Sequence, residues 1–130
     1  MIPGVYTSRQ HIIRKHTEAA VFSPELKKGS VELLILSMLE DQPRHGYEIG
    51  KLIELRSGCR IQFRVSSLYP VLCRMENKGW IAGRWIEKEG ERRRCFYRLT
   101  PKGVKALTEQ KEIWQEFAEA IEQAIGWSHA

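Results

Sequence analysis

The chain has 130 residues, 42% of them hydrophobic, and a formal net charge of +5. That length fills one small core with an appendage, not two full domains. No run of about 18 apolar residues is present to span a bilayer and no basic-then-apolar signal opens the chain, so the expectation is a cytoplasmic protein without a membrane partner.

The charge is unevenly spread. Residues 84–105 hold eight Lys/Arg against three Glu, whereas residues 106–130 hold five Glu against Lys111. A basic segment followed by an acidic one points to a polyanion at the first and a different partner at the second. Cys59, Cys73 and Cys95 lack the CxxC spacing of a zinc or redox site and read as buried small hydrophobes. His11, His16, His45 and His129 show no metal spacing, so neither metal nor cofactor is expected. There is no Gly-rich phosphate loop, paired acid/base motif or nucleophile elbow, which argues against an enzyme.

Taken in order, residues 1–25 form an N-terminal extension. Ser8 to Ala20 has helical character, with Ile12 and Ile13 among Arg9, Arg14 and Lys15, yet Pro3-Gly4 and Ser23-Pro24 flank it loosely. A mobile or partner-dependent segment is expected. Ser30 to Glu40, with Ser30 as N-cap, is almost solidly apolar and reads as a core helix that another helix also covers. Asp41-Gln42-Pro43 ends it. His45-Gly46-Tyr47 then opens a second helix to about Arg56, with Tyr47, Ile49, Leu52, Ile53 and Leu55 as its apolar set. Cys59, Ile61, Phe63 and Val65 alternate with polar residues, the period of a half-buried strand.

Val65 to Thr100 organises the rest. Leu68, Leu72 and Met75 share one helix face, Ser66 or Ser67 serves as N-cap with Pro70 in the first turn, and Lys78-Gly79 closes the helix. Ile81 to Ile86 and Cys95 to Leu99 read as a hairpin with a charged tip, and Trp80 and Trp85 as core cover. Thr100-Pro101 caps a last helix whose apolar or small residues Val104, Leu107, Trp114, Ala118, Ile121 and Ile125 form a coiled-coil seam, broken by Lys111, and are the candidate dimer interface. Its length of roughly 36 Å exceeds what so small a domain covers, and a second copy of the chain is the simplest partner.

The fold class expected is therefore mainly α with a small β hairpin: a winged helix-turn-helix over residues 26–100 and a C-terminal dimerisation helix over 101–130. Its partner is double-stranded DNA; a protein-interaction or RNA-binding module is the alternative. Ser66, Ser67 and Arg74 are candidate base or groove contacts, and Tyr69 and Lys78 candidate phosphate contacts. The competing reading of the serines is capping alone. Arg92, Arg93 and Arg94 cannot all face one way on a strand; two should meet DNA and one should pair with Glu87, Glu89 or Glu91. His45 reads as a turn residue ahead of a DNA contact, and Tyr47 lies beside it.

With His45-Gly46-Tyr47, Ser67-Leu68-Tyr69-Pro70, Arg74-Met75-Glu76, Gly79, and Arg92-Arg93-Arg94 leading to Tyr97-Arg98-Leu99-Thr100, the chain resembles the PadR-like transcriptional regulators over about Lys28 to Gly126. The resemblance implies a dimeric repressor of the short subgroup that binds a palindromic operator and often releases it to a small aromatic or lipophilic effector. Trp114 stands where some short members carry a tryptophan facing such a ligand; Trp114 and Phe117 are thus candidate effector contacts, with plain packing as the competing reading. Ser66, Glu91 and Cys95 depart from the residues frequent in the family.

Overall fold

The computed structural model describes Lys27 and residues 29–127. The expected extension over 1–25 lies outside them. Helix α1 (Val31–Met38) is followed by the short strand β1 (Arg44–His45), helices α2 (Gly46–Arg56) and α3 (Val65–Asn77), strands β2 (Ile81–Ile86) and β3 (Arg94–Leu99), and helix α4 (Pro101–Ala124). The strands form one antiparallel sheet in the order β1-β3-β2, so the expected winged helix architecture is present.

The core forms where the helices converge. Ile35, Leu36 and Met38 of α1 meet Ile49 and Ile53 of α2, Leu68, Leu72 and Met75 of α3, Ile81 of β2 and Leu107 of α4. Helix α1 packs against three helices, α4 among them, which explains its nearly all-apolar sequence. Its N-cap is Ser30, although that hydroxyl donates to the Lys27 carbonyl instead of capping. At its other end Arg44 Nε donates to the Met38 carbonyl at 2.8 Å while Nη2 reaches Asp41 at 3.1 Å, filling an acceptor that a helix C-terminus leaves open.

Four local expectations are corrected. Residues 59–64 form a loop, not a strand, because the free edge of β3 is taken by β1, with Arg44 opposite Tyr97 and His45 opposite Phe96. The alternating residues in that loop have no ladder to join. Helix α3 starts at Val65 with Arg64 as N-cap, so neither Ser66 nor Ser67 caps it and Pro70 lies in the second turn. Cys59 and Cys73 are exposed and Cys95 is half-buried, against the reading of all three as core residues. Tyr47 and Leu55 of α2 are likewise exposed, off the stripe that Ile49 and Ile53 bury.

Two joints hold the wing and the last helix to this core. After α3, Gly79 at φ 79° lets Trp80 N–H donate to the Met75 carbonyl and Gly79 N–H to that of Glu76, a Schellman closure. Thr100 then staples α4 to that closure. Its backbone N–H donates to the Trp80 carbonyl at 3.0 Å, its hydroxyl donates to the Gly79 carbonyl at 2.5 Å, and the same oxygen accepts from Gly103 N–H at 3.0 Å as N-cap. Gly103 is required there, since a Cβ would overlap the Trp80 carbonyl.

Helix α4 has 24 residues, about 36 Å at 1.5 Å each. Gly103, Ala106 and Leu107 are buried against the domain; Trp114, Phe117, Ile121 and Ile125 are not. Leu107 thus belongs to the chain's own core, which corrects its assignment to a dimer seam. Among the described residues no helix is long and apolar enough to cross a membrane.

Candidate nucleic-acid interface

Helix α3 presents two chemically distinct faces. Leu68, Val71, Leu72 and Met75 are buried, while Ser66, Ser67, Tyr69, Pro70, Cys73 and Arg74 are exposed on the opposite side, as a 3.6-residue period requires. With the caps assigned elsewhere, both serine hydroxyls belong to this outward face. Pro70 has no N–H for the Ser66 carbonyl, a cost the helix tolerates one turn from its start where the group still reaches solvent.

Beyond the core packing of Ile81, a hydrogen bond ties the wing to α3. Glu76 Oε2 accepts the Gly83 backbone N–H at 3.1 Å, from β2. Gly83 permits the approach: a Cβ there would lie 2.7 Å from Cys95 Sγ and 3.2 Å from that carboxylate oxygen. Register sets which side chains then face α3. Trp85 lies opposite Cys95 and Gly83 opposite Tyr97, all on the α3 side of the hairpin, whereas Arg84, Phe96 and Arg98 alternate to its outer side.

The start of α2, the start of α3 and the wing enclose an open groove of about 530 Å³. Gly46 and Tyr47 line it from α2, Val65 and Tyr69 from α3, and Trp85, Cys95, Tyr97 and the three arginines 92–94 from the wing, with His45 at its base. Burial, with the neighbouring Cys95 adding to it, raises the Tyr97 phenol well above its ordinary range, so its proton stays in place. The N-terminus of α2 opens beside the groove, adding partial positive charge.

The three wing arginines have different settings. Arg93 lies over the Trp85 ring at 4.8 Å and its Nε is 3.7 Å from Glu87, which identifies the arginine and the glutamate of the expected pair. Arg94 Nη1 is 2.9 Å from His45 Nε2. Arg92 forms no ion pair among the described residues and reaches both sides of the wing tip.

Several nominated residues lie elsewhere. Lys78 is drawn back to α1, with Nζ 2.8 Å from Glu32 and 4.3 Å from the Trp80 ring, away from the groove. His45 is buried, caps α2 and meets the edge of Phe96, in line with its reading as a turn residue. Burial holds its imidazole below the ordinary range, the Arg94 charge works the same way and Glu48 opposes both. Arg74 lies on the outward face of α3 but does not line the groove. Trp80 packs on the core as expected, whereas Trp85 is exposed and supports Arg93. Its role was missed because a tryptophan in an alternating strand reads as core; the signal was its parity with Cys95 and Tyr97. Arg64, exposed at the N-cap of α3, was also missed.

On α4, Trp114 and Phe117 are neighbours with ring centroids 6.1 Å apart. With Ile121 and Ile125 they continue the same face that carries Leu107 into the core, now without cover within the chain. Ala118 is half-buried on that side and Val104 is exposed at the base of the helix.

Comparison with known proteins gives this arrangement a family. Residues 35–109 match the Transcriptional regulator PadR-like family. A transcriptional regulator of Mycobacterium tuberculosis is 33% identical over 97 residues, 75% of this chain and 87% of its own. Among solved structures, a transcriptional regulator from Clostridium thermocellum superposes with a TM-score of 0.72 at 31% identity, over 79% of this chain and 97% of that one. The Bacillus subtilis PadR in complex with operator DNA shares the fold, with a TM-score of 0.57 at 24% identity over 62% of this chain and 45% of that one. The matched family segment runs from the core of α1 through the wing to the buried turns of α4, and on it the chain belongs to the PadR-like family of transcriptional regulators and is not an enzyme.

Proposed function

We propose that the chain regulates transcription by binding double-stranded DNA in the cytoplasm as a dimer, α3 entering the major groove and the wing following the phosphate backbone. The observation that carries this reading is the shared groove: the start of α2, Val65 and Tyr69 of α3 and the arginines of the wing line one volume, with the exposed Ser66, Ser67 and Arg74 on α3 beside it. Ser66, Ser67 and Arg74 are the base-edge or groove contacts, Tyr47, Tyr69 and Arg92 phosphate contacts. Arg64 joins the phosphate contacts. Residues 26–100 form the DNA-binding domain.

The dimer runs through the distal half of α4, within residues 101–130. Trp114, Phe117, Ile121 and Ile125 support it, since four large apolar side chains on one uncovered helix face need a dry partner. A two-fold axis there makes the patch self-complementary and places two α3 helices at a fixed separation, which selects a palindromic operator. An operator that overlaps the polymerase site would make the outcome repression. Trp114 and Phe117 also offer flat aromatic surface for a small aromatic or lipophilic effector that would shift the α3 spacing.

Binding to a duplex library at two salt concentrations tests the DNA reading. The expected result is a two-fold motif and affinity that falls steeply with salt. Binding without salt dependence, or to protein partners alone, would favour an interaction module.

A further inference from the structure

The contacts of His45 cannot all be satisfied by one form of its ring. Nδ1 is 3.4 Å from the Glu48 backbone N–H that it caps, and Nε2 is 2.9 Å from Arg94 Nη1, so two donors on opposite sides address the imidazole. A neutral imidazole has one lone pair and one N–H, so it accepts from only one of them. Nε2 is also 3.4 Å from Glu48 Oε1, an acceptor available when that nitrogen carries the proton. His45 is 6% exposed, so few waters compete for either nitrogen.

We infer that His45 is a positioning residue for DNA binding, a tautomeric latch on Arg94. With Nε2 bare, the ring holds Arg94 against the start of α2. With the proton on Nε2, that nitrogen donates to Glu48, Nδ1 caps α2, and Arg94 swings free to a phosphate. Both forms are neutral, and the proton moves between the nitrogens by exchange with water. The contact to Arg94 is the shorter of the two, so the holding form, in which Nδ1 carries the proton and the Glu48 N–H loses its cap, is the resting one. A phosphate at the wing tip supplies the second acceptor that makes release favourable, by taking Arg94 in a charge-assisted hydrogen bond.

The ring's charged surroundings fit this exchange. Glu48 faces it from α2 and Arg94 from β3, while Lys88, Glu91 and Arg92 of the wing tip share its small outer cavity. Protonating both nitrogens also releases Arg94, because an imidazolium repels it and offers no lone pair. Acid and DNA therefore act in the same direction.

The latch rests on the DNA reading above. It is tested with the full-length, ¹⁵N-labelled protein, using imidazole nitrogen shifts of His45 assigned by their loss in His45→Asn, without DNA and with a random-sequence duplex at low salt. The expected result is a bare Nε2 in the free protein and a protonated Nε2 on the duplex. A protonated Nε2 in the free protein overturns the latch. An unchanged tautomer on a bound duplex overturns release alone, and no duplex binding overturns release together with the DNA reading. In affinity, Arg94→Ala should cost about tenfold, the worth of one charge-assisted contact. His45→Asn retains an amide that caps α2, and should bind at least as tightly as wild type and lose the same tenfold on adding Arg94→Ala. An affinity for His45→Asn as low as that of Arg94→Ala would show that His45 presents the arginine instead of withholding it.

Discussion

Helix α3 and the distal half of α4 both leave one long face uncovered, yet the faces differ in chemistry. On α3 the outward residues are Ser66, Ser67, Tyr69, Cys73 and Arg74, mostly groups that hydrogen-bond; on α4 they are Trp114, Phe117, Ile121 and Ile125, almost wholly apolar apart from the single indole N–H. A polar face is at home in water and keeps its groups free for a wet, charged partner. An apolar face of that size is stable only against a dry one. As a DNA face and a dimer face, the two should respond oppositely to salt: the first weakens as ions screen it, and the second is held by burial.

The largest effects should come from the boundary between the two halves of α4. Leu107→Asp places a charge in the core and should remove more than about 4 kcal/mol, read as loss of the cooperative melt by circular dichroism. Ile121→Asp, on the same helix face fourteen residues on, should leave the monomer folded and convert dimer to monomer in ultracentrifugation. An unchanged sedimentation coefficient would move the interface off α4. Next in size, replacing Arg92, Arg93 and Arg94 together by alanine should weaken binding to specific and random duplexes alike; among single changes, Arg92→Ala should flatten the slope of log affinity against log salt by about 1.

Smaller effects sharpen the joint. Thr100→Ala removes the N-cap of α4 and should cost about 1–2 kcal/mol in denaturant melts, without abolishing the fold. His45 should make stability depend on pH. Its folded ring holds a proton less tightly than the unfolded one because of burial, so the unfolded chain binds more protons as the pH falls. The contribution is full above the ordinary imidazole value near 6.5 and is lost below it, through the lower folded value. His45→Asn should flatten this part of the profile.

Most of the architecture was legible in the sequence because it rests on local rules. Periodicity found α1, α2, α3 and α4, turn residues found the hairpin, and Thr100-Pro101 marked the start of α4. What escaped was decided by contacts distant in sequence. The alternation at Cys59 to Val65 resembles a strand, but Arg44 and His45 occupy the β3 edge. Leu107 and Ile121 are equivalent on a heptad, and only the position of α1 shows that the first is covered and the second is not. Within the site, strand parity was expected to turn one wing arginine away, yet Arg92 and Arg93 precede β3 and all three line the groove; which one meets Glu87 depends on Trp85 lying under Arg93. The competition between Glu48 and Arg94 for His45 joins positions about fifty residues apart and left no trace in spacing.

The most direct measurement of the central claim is selection of bound genomic fragments by the purified protein, followed by sedimentation of the protein with the duplex so found. The account predicts a two-fold symmetric motif with half-sites about one helical turn apart, bound by two chains. An asymmetric motif bound by one chain, or no motif with binding indifferent to salt, would contradict it.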